Sequence, residues 1–213
     1  MIRKIPERSA FNYFPPEDDY DSLKRAAEGC RGCDLYLDAT QTVFGEGDLK
    51  PKLVFVGEQP GDEEDIKGHP FVGPAGRLFD QALAEVGIDR SETYITNTVK
   101  HFKWKPAGKR RLHERPRASE IKACLPWLWA EIELLGPPIL VCLGATASQA
   151  LLGPEFRVTQ MRGQWLRTEF SQNVLATVHP SSILRSQNRD EEYRWFVTDL
   201  QLVADKLAAI ETR

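Results

Sequence analysis

The sequence predicts a single α/β domain with a mainly parallel β-sheet covered by helices on both faces. Its 213 residues are enough for one such domain with a substantial core. Short apolar runs, such as Leu53–Val56 and Ile139–Leu143, have the length and composition of buried strands. Amphipathic segments with helical spacing follow them along the chain. Strands that alternate with helices in this way form parallel sheets with both faces buried.

The amino-terminal part is predicted to be largely irregular. Residues 1–20, rich in proline and acidic side chains, are expected to form an extended arm, and Asp21–Glu28 a short helix. Residues 34–50 are expected to be irregular with one edge strand. The amino terminus does not resemble a signal peptide, and no apolar run approaches the ~20 residues that a membrane-spanning helix needs. We therefore expect a cytosolic protein that is not attached to a membrane.

The stretch 51–80 is the one around which the rest of the chain is organised. Its apolar strand ends at Gly57, and the turn that follows presents Glu58 and Gln59. Ligands of open α/β sheets bind outside the carboxyl ends of the strands. An acid and an amide at this point therefore predict a binding site.

An acidic loop over 62–65 separates this turn from the next helix, which opens at Gly73 and ends at Gly87. Phe71 lies on a loop beside the strand end. An aromatic ring there either closes the core or serves as a stacking platform for a flat ligand.

Further strands and helices are predicted downstream. The strands are Thr93–Thr96, Ile139–Leu143, Gln164–Arg167 and Val174–Val178, and the helices span 118–135, Ala145–Leu152 and Asp190–Ile210. Pro126 is expected to distort or restart the first of these helices. Asn97 follows the first of these strands and His179 the last, so both present polar side chains at the carboxyl end of a strand.

The segment from Lys100 to Arg117 is strongly basic. It holds eight Lys or Arg and one acid, so it carries +7 while the rest of the chain carries −10. Its Gly, Pro and charges predict a functional loop of about residues 100–117 rather than regular structure. A solvated charge run is the ordinary explanation, but such a run does not require the interleaved Phe102 and Trp104. We therefore expect a polyanionic partner that meets this face.

Four cysteines predict a metal or cluster site. Cys30 and Cys33 form a C-x-x-C pair, and Cys124 and Cys142 follow on a predicted helix and a predicted strand. Disulfides are disfavoured in a cytosolic chain, so this set indicates metal ligation. Cys124 and Cys142 alone would more often be buried apolar residues. Zinc and iron with sulfide both suit four thiolates, and the spacing does not choose between them.

Several motifs combine into one recognisable pattern. They are Gly57-Glu58-Gln59-Pro60-Gly61, Pro70-Phe71-Val72-Gly73-Pro74-Ala75-Gly76, Asn97, the four cysteines and His179-Pro180-Ser181-Ser182. Together they resemble the iron-sulfur, family 4-like uracil-DNA glycosylases over about residues 30–185. The resemblance implies a three-layer α/β/α sandwich, a 4Fe-4S cluster on Cys30, Cys33, Cys124 and Cys142, and a flipped uracil as ligand.

Two details differ from the hydrolytic branch of that family. Gln59 stands where the branch usually has Ala. The run Lys109-Arg110-Arg111-Leu112-His113 resembles the Lys-Arg-Arg-Ile-His loop of UdgX, the member that becomes covalently joined to uracil-containing DNA. The resemblance therefore implies a glycosylase that traps itself on its product.

The uracil-binding residues that the resemblance implies are Gly57, Gln59, Asp62, Phe71 and Asn97. An amide offers a donor to one uracil carbonyl and an acceptor to the imide N–H, a pattern that cytosine inverts. A turn residue would occupy the position of Asn97 equally well. Stacking on Phe71 could offset about 1–3 kcal/mol of the cost of extruding a base.

The catalytic residues in this interpretation are His113, Glu58 and His179. His179 donates a hydrogen bond to the uracil carbonyl as negative charge develops, unless it only caps backbone groups of its loop. Glu58 offsets the positive charge on the sugar or orients the nucleophile. His113 attacks the anomeric carbon in place of water. Imidazole bonded through one nitrogen leaves poorly once the other proton is lost, so the adduct is expected to persist.

The DNA contacts are expected from two regions, the basic segment and the loop after His179. They are Lys109, Arg110, Arg111, Ser181, Ser182, Leu184 and Arg185. Uracil-containing DNA, single-stranded or duplex, is the expected partner of a monomeric, nucleoid-associated protein. Two alternatives remain open on the sequence alone, a hydrolytic glycosylase with many turnovers and a non-catalytic iron-sulfur or zinc protein that binds nucleic acid.

Overall fold

A computed structural model describes residues 8–212, so residues 1–7 of the expected arm lie outside the described part. The strands are β1 (Glu46–Gly47), β2 (Leu53–Gly57), β3 (Thr93–Asn97), β4 (Trp104–Ala107), β5 (Arg110–His113), β6 (Ile139–Leu143), β7 (Trp165–Leu166) and β8 (Asn173–Thr177). The α-helices are α1 (Tyr20–Glu28), α2 (Asp62–Lys67), α3 (Pro74–Glu85), α4 (Ala118–Leu135), α5 (Ala145–Leu152), α6 (Val158–Met161), α7 (Pro180–Arg185) and α8 (Arg189–Glu211). None of these helices is long and apolar enough to cross a bilayer.

Six strands form one mixed sheet in the order β1-β3-β2-β6-β8-β7. The four inner strands run parallel, and β1 and β7 pair antiparallel at the edges. All residues of β2, β3 and β6 are buried, which explains the continuous apolar runs of β2 and β6. The predicted mainly parallel sheet and the edge strand within residues 34–50 are confirmed.

Helices cover both faces of the sheet and make three layers. Leu53 and Phe55 of β2 pack with α3 and α8, whereas Val54 and Val56 pack with α4 and α5. Successive side chains of a strand point to opposite faces, so one short apolar run contributes to both cores. The α/β/α architecture that the sequence resemblance implied is therefore confirmed.

A third cluster attaches the amino-terminal segment to α4. It contains Ala10, Leu23 and Cys30 from this segment and Cys124 and Trp127 from α4. The ring of Phe14 stacks on Trp127 with 4.5 Å between centroids. The described part of the expected arm, residues 8–20, is thus packed against the domain rather than extended from it.

Three other segments differ from the expectations. The basic segment contains a β-hairpin, β4–β5, closed by a two-residue turn at Gly108 with φ +60°. The expectation of a loop without regular structure is therefore wrong there, because pairing of the strand backbones stabilises the segment despite its charge. The acidic run forms the first turn of helix α2, where its carboxylates interact favourably with the partial positive charge of the helix N-terminus. Helix α4 continues through the buried Pro126 without restarting.

Candidate active site at the carboxyl ends of the strands

A cavity of about 990 Å³ opens at the carboxyl edge of the parallel strands. Its wall brings together five side chains that the sequence places far apart, Glu58, Phe71, Asn97, His113 and His179. The predicted residues Gln59, Asp62, Ser181, Ser182, Leu184 and Arg185 also line it. The convergence follows from the fold, since β2, β3 and β8 run parallel and end at the same edge.

Asn97 ends β3 and presents a buried amide to the cavity. The residue is 2% exposed, and no donor within residues 8–212 reaches its Oδ1. A Cβ atom on Gly57, its partner in β2, would lie 2.3 Å from that oxygen and 2.8 Å from the Phe71 ring. A buried acceptor without a partner costs about 1–3 kcal/mol, which a ligand donor would recover. Gly57 therefore contributes to the site by lacking a side chain, which leaves room for the Asn97 amide and the Phe71 ring.

Phe71 is the one described residue other than glycine with a positive φ, +56°. Its ring is 5% exposed and lies 5.4 Å from Phe79 and 5.7 Å from His179 between centroids. The left-handed conformation costs roughly 1–2 kcal/mol, and such strain clusters at functional sites. The ring closes the core and lines the cavity at once, so the two alternatives for Phe71 are compatible.

His179 caps helix α7 and lines the cavity. Its Nδ1 accepts a hydrogen bond from the Ser181 N–H at 3.1 Å. Burial lowers the pKa of His179 to about 4, although the Glu58 carboxylate opposes this shift. The ring is therefore neutral near pH 7, and with Nδ1 as acceptor the proton lies on Nε2. His179 therefore does cap α7, and the cap leaves its Nε2–H available to donate a hydrogen bond to a ligand in the cavity.

Glu58 and His113 form the polar pair at the cavity mouth. His113 Nε2 lies 3.4 Å from Glu58 Oε1, and the Thr146 hydroxyl donates to Oε2. Burial alone would raise the pKa of Glu58, but the contacts with His113 and Thr146 outweigh it, and the pKa is lowered. Glu58 is therefore a carboxylate at neutral pH, beside an imidazole whose side chain is 45% exposed.

Gln59 ties the hairpin to the sheet. Its Nε2 donates to the backbone oxygens of Lys103 at 3.1 Å and Glu114 at 3.2 Å, and its Oε1 accepts from the Lys103 N–H at 3.2 Å. Lys103 and Glu114 flank the two strands of the hairpin. These backbone groups occupy the amide of Gln59, so the predicted contact of its side chain with substrate would require these hydrogen bonds to break.

Arg111 forms a second attachment of the hairpin. Its guanidinium lies 2.6 Å from both Asp62 and the fully buried Asp65. It also sits over the rings of Phe102 and Trp104, 5.4 and 5.5 Å from their centroids. These contacts pair the single positive charge of Arg111 with two carboxylates, so the predicted phosphate contact of Arg111 and the predicted substrate contact of Asp62 would each compete with this ion pair.

The family model for the uracil DNA glycosylase superfamily matches residues 44–201, which include every residue of the cavity wall. The chain belongs to the uracil-DNA glycosylase superfamily. A type-4 uracil-DNA glycosylase of Thermotoga maritima is 39% identical over 184 residues, covering 86% of this chain and 91% of the relative. A type-4 uracil-DNA glycosylase of Archaeoglobus fulgidus is 36% identical over 183 residues, covering 83% of this chain and 88% of the relative.

In this uracil-DNA glycosylase superfamily member, the four predicted cysteine ligands do not come together. Cys30, Cys33 and Cys124 share the amino-terminal cluster, and burial together with the two neighbouring thiols raises the pKa of Cys124. Cys142 lies within β6 in another cluster, where burial alone raises its pKa to about 12. Within residues 8–212, no group of three or more His, Cys, Asp or Glu is arranged to hold a metal ion. Cys142 is removed from the set because its strand is central in the sheet.

Thr146 and Glu64 are among the polar contributors to the cavity wall that sequence reasoning missed. The Thr146 hydroxyl donates to Glu58 from the start of α5, two residues after Gly144. Glu64, 7% exposed, accepts from the Gly73 N–H at 2.8 Å. Neither has a motif of its own. The only signal was position, since both residues stand in the first turn of a helix that follows a strand of the parallel sheet.

Proposed function

We propose that this protein excises uracil from DNA and remains covalently attached through His113 to the sugar of the abasic site. The observation that carries the proposal is the pairing of His113 with the ionised Glu58, 3.4 Å apart, at the mouth of a cavity whose inner wall holds Asn97 and His179. Relatives in the superfamily named as type-4 uracil-DNA glycosylases support the excision step.

Recognition uses the buried amide of Asn97. Its unpartnered Oδ1 accepts the imide N–H of an extruded uracil, and its NH₂ group donates to the neighbouring carbonyl. Cytosine has an acceptor where uracil has this N–H, so it would leave the buried oxygen unsatisfied. The Phe71 ring at the cavity wall stacks on the base.

Bond cleavage separates two charges. The C1′–N1 bond breaks, and its electron pair leaves with the uracil, whose carbonyl receives the Nε2–H hydrogen bond of neutral His179. A preorganised donor of this kind contributes about 10²- to 10³-fold in rate. The Glu58 carboxylate stabilises the positive charge that develops on the sugar.

Trapping follows when His113 reaches C1′ before water does. One ring nitrogen forms a bond to C1′, and the proton on the other nitrogen passes to Glu58 or to solvent. The resulting neutral imidazole linkage is a poorer leaving group than a sugar carboxylate ester, which glycosidases hydrolyse readily. The Gln59 contacts support this step because they hold both ends of the hairpin that carries His113.

DNA contacts come from the exposed part of the hairpin and from α7. Lys109 and Arg110 have no ion-pair partner among residues 8–212 and are expected to meet phosphates. Ser181, Ser182, Leu184 and Arg185 line the cavity, and Leu184 would enter the vacated base stack. The DNA strand would thus contact both the hairpin and α7.

An iron-sulfur cluster on the amino-terminal cysteines is part of the proposal, with His101 in place of Cys142 as the fourth ligand. His101 is 5% exposed and follows Lys100, whose N–H donates to Cys124 Sγ at 3.3 Å. Its Nε2 lies 2.9 Å from the hydroxyl of Thr42, which itself bonds the Ala27 oxygen beside Cys30. Three thiolates and an imidazole are suitable donors for such a cluster, which would have to draw these side chains together and would tie the amino-terminal segment to α4.

The cluster assignment is tested without activity. The purified protein is expected to contain iron and sulfide and to absorb visible light. We expect His101→Ala to lose this absorbance and Cys142→Ala, the matched control, to keep it. Loss in the Cys142 variant with retention in the His101 variant would reverse the assignment, and zinc in a colourless preparation would remove the cluster.

The trapping step is tested with uracil-containing single-stranded DNA on a denaturing gel. A band at the summed mass of protein and DNA is expected, and peptide mass spectrometry should locate the sugar on His113. We expect His113→Ala to lose the band, while His69→Ala, an exposed histidine outside the described cavity wall, keeps it. An adduct of unchanged yield in the His113 variant contradicts the proposal.

A second candidate is hydrolysis with many turnovers. It is favoured by the high coverage of the type-4 relatives and by the partial exposure of His113, which leaves room for water. Free abasic DNA with unmodified protein on the same gel would support it.

A further inference from the structure

A buried ion pair lies behind the cavity and has no part in the steps proposed above. The side chains of Lys100 and Glu131 are each 1% exposed, and their charged groups are in direct contact. Neither belongs to the described residues that line the cavity. Withdrawing two charges from water costs free energy that their attraction often fails to repay. Such a pair therefore calls for an explanation other than stability.

The ammonium group of Lys100 is fully used at the carboxyl end of β3. Its Nζ donates to the Glu131 carboxylate, to Thr96 Oγ1 at 2.6 Å and to the backbone oxygen of Asn97 at 2.8 Å. Three acceptors match the three protons of the group. The backbone of Asn97 is thus held by a hydrogen bond from the charged Lys100 side chain, in addition to its pairing with β2.

Glu131 fixes the direction of this contact from α4. Its carboxylate accepts from the Gly45 N–H at 2.9 Å, from the Tyr94 hydroxyl at 2.8 Å and from the Thr96 hydroxyl at 3.0 Å. These donors come from the residue that precedes β1 and from β3, the neighbour of β1 in the sheet. Gly45 and Tyr94 donate to Oε1, the Thr96 hydroxyl lies 3.0 Å from both oxygens, and Oε2 contacts Lys100.

The Asn97 side chain lacks comparable support. Its Oδ1 has no donor within residues 8–212, so the amide would gain by turning toward any donor that backbone movement brought within reach. We propose that Lys100, oriented by Glu131, is a positioning residue for base recognition that keeps the Asn97 amide set for uracil and against cytosine. This inference rests on the proposed function and adds a residue that determines its specificity.

The test removes both charges at once, because a single substitution would leave one charge buried and unpaired. In Lys100→Met/Glu131→Gln, the introduced amide oxygen can still accept from Gly45 and Tyr94, and methionine fills the space of the lysine. The readout is equilibrium binding of single-stranded DNA with one 2′-fluoro-2′-deoxyuridine or 2′-fluoro-2′-deoxycytidine, whose glycosidic bonds resist cleavage. We expect the preference for uracil to fall about tenfold, with the melting temperature and the salt dependence of binding little changed.

Three comparison variants complete the experiment. Tyr94→Phe removes one donor to the far oxygen of Glu131 and leaves the Gly45 N–H in place, so the preference for uracil should fall less than in Thr96→Val, whereas Asn97→Ala should abolish it. Thr96→Val loosens Lys100 without unpairing a charge, so about a threefold loss is expected even if the double variant does not fold. Parent-like preference in a folded double variant, or in Thr96→Val, overturns the inference. A parent protein with no preference for uracil overturns the proposed function itself.

Discussion

The inner cavity wall and the basic hairpin are held in place by different kinds of contact. Asn97, Phe71 and His179 are held by the sheet and by core packing. His113 stands on a two-stranded hairpin outside the main sheet, and side-chain contacts from Gln59 and Arg111 attach that hairpin to the sheet. In the proposed function, recognition and cleavage would therefore be properties of the fold, whereas trapping would depend on a few removable contacts.

The largest expected effect comes from the inner wall. His179→Ala should slow uracil release about 10²- to 10³-fold, because it removes the donor to the developing anion. Single-turnover kinetics would measure the rate, and filter binding should show DNA affinity close to that of the parent. If affinity fell as far as the rate did, His179 would be a binding residue and the contrast between the two regions would weaken.

The same residue should make stability depend on pH. Burial lowers the pKa of His179 to about 4, below its usual value near 6.5, so the unfolded chain binds the proton more readily. The contribution of His179 to the free energy of unfolding is then fully present above about pH 6.5. It is lost as the pH drops toward 4, by about 2 kcal/mol for a ring that is only partly buried. Urea unfolding of the parent and His179→Asn between pH 4 and 7 checks this, since the variant should show a flatter profile.

A smaller effect is expected where the hairpin joins the sheet. Gln59→Ala loses three hydrogen bonds that hold the ends of the hairpin, so water should compete with His113 more often. Free abasic product should rise about tenfold relative to adduct, with the rate of uracil release nearly unchanged. Product partition on a denaturing gel measures it. Slower release of uracil with an unchanged ratio of free abasic product to adduct would instead support the predicted contact of Gln59 with substrate.

The smallest effect distinguishes two neighbouring cations. Arg110 has no ion-pair partner among the described residues, whereas Arg111 is paired with Asp62 and Asp65. Arg110→Ala should therefore reduce the slope of log affinity against log salt by about 0.7 for single-stranded DNA, and Arg111→Ala should leave the slope close to that of the parent. Equal reductions in both variants would show that the Arg111 contacts open when DNA binds.

Much of the fold could be predicted because buried strands carry their signal locally. The runs at β2 and β6 are apolar throughout, and their alternation with helices predicted a mainly parallel sheet. The polar residues at the strand ends, Glu58, Asn97 and His179, followed from the same pattern. The hairpin did not, because its strands are largely exposed and charged and therefore lack an apolar alternation.

The sequence by itself determined which residue types stand at the carboxyl edge of the sheet, because strand ends are set by short-range patterns of apolar residues and turns. Only the tertiary structure decided where the side chains of distant segments meet. The Gln59 side chain is hydrogen-bonded to the hairpin, and Arg111 is paired with two aspartates. Cys142 is buried in a core cluster apart from the other three thiols. Each outcome depends on which segments the fold brings into contact, and that information is absent from local spacing.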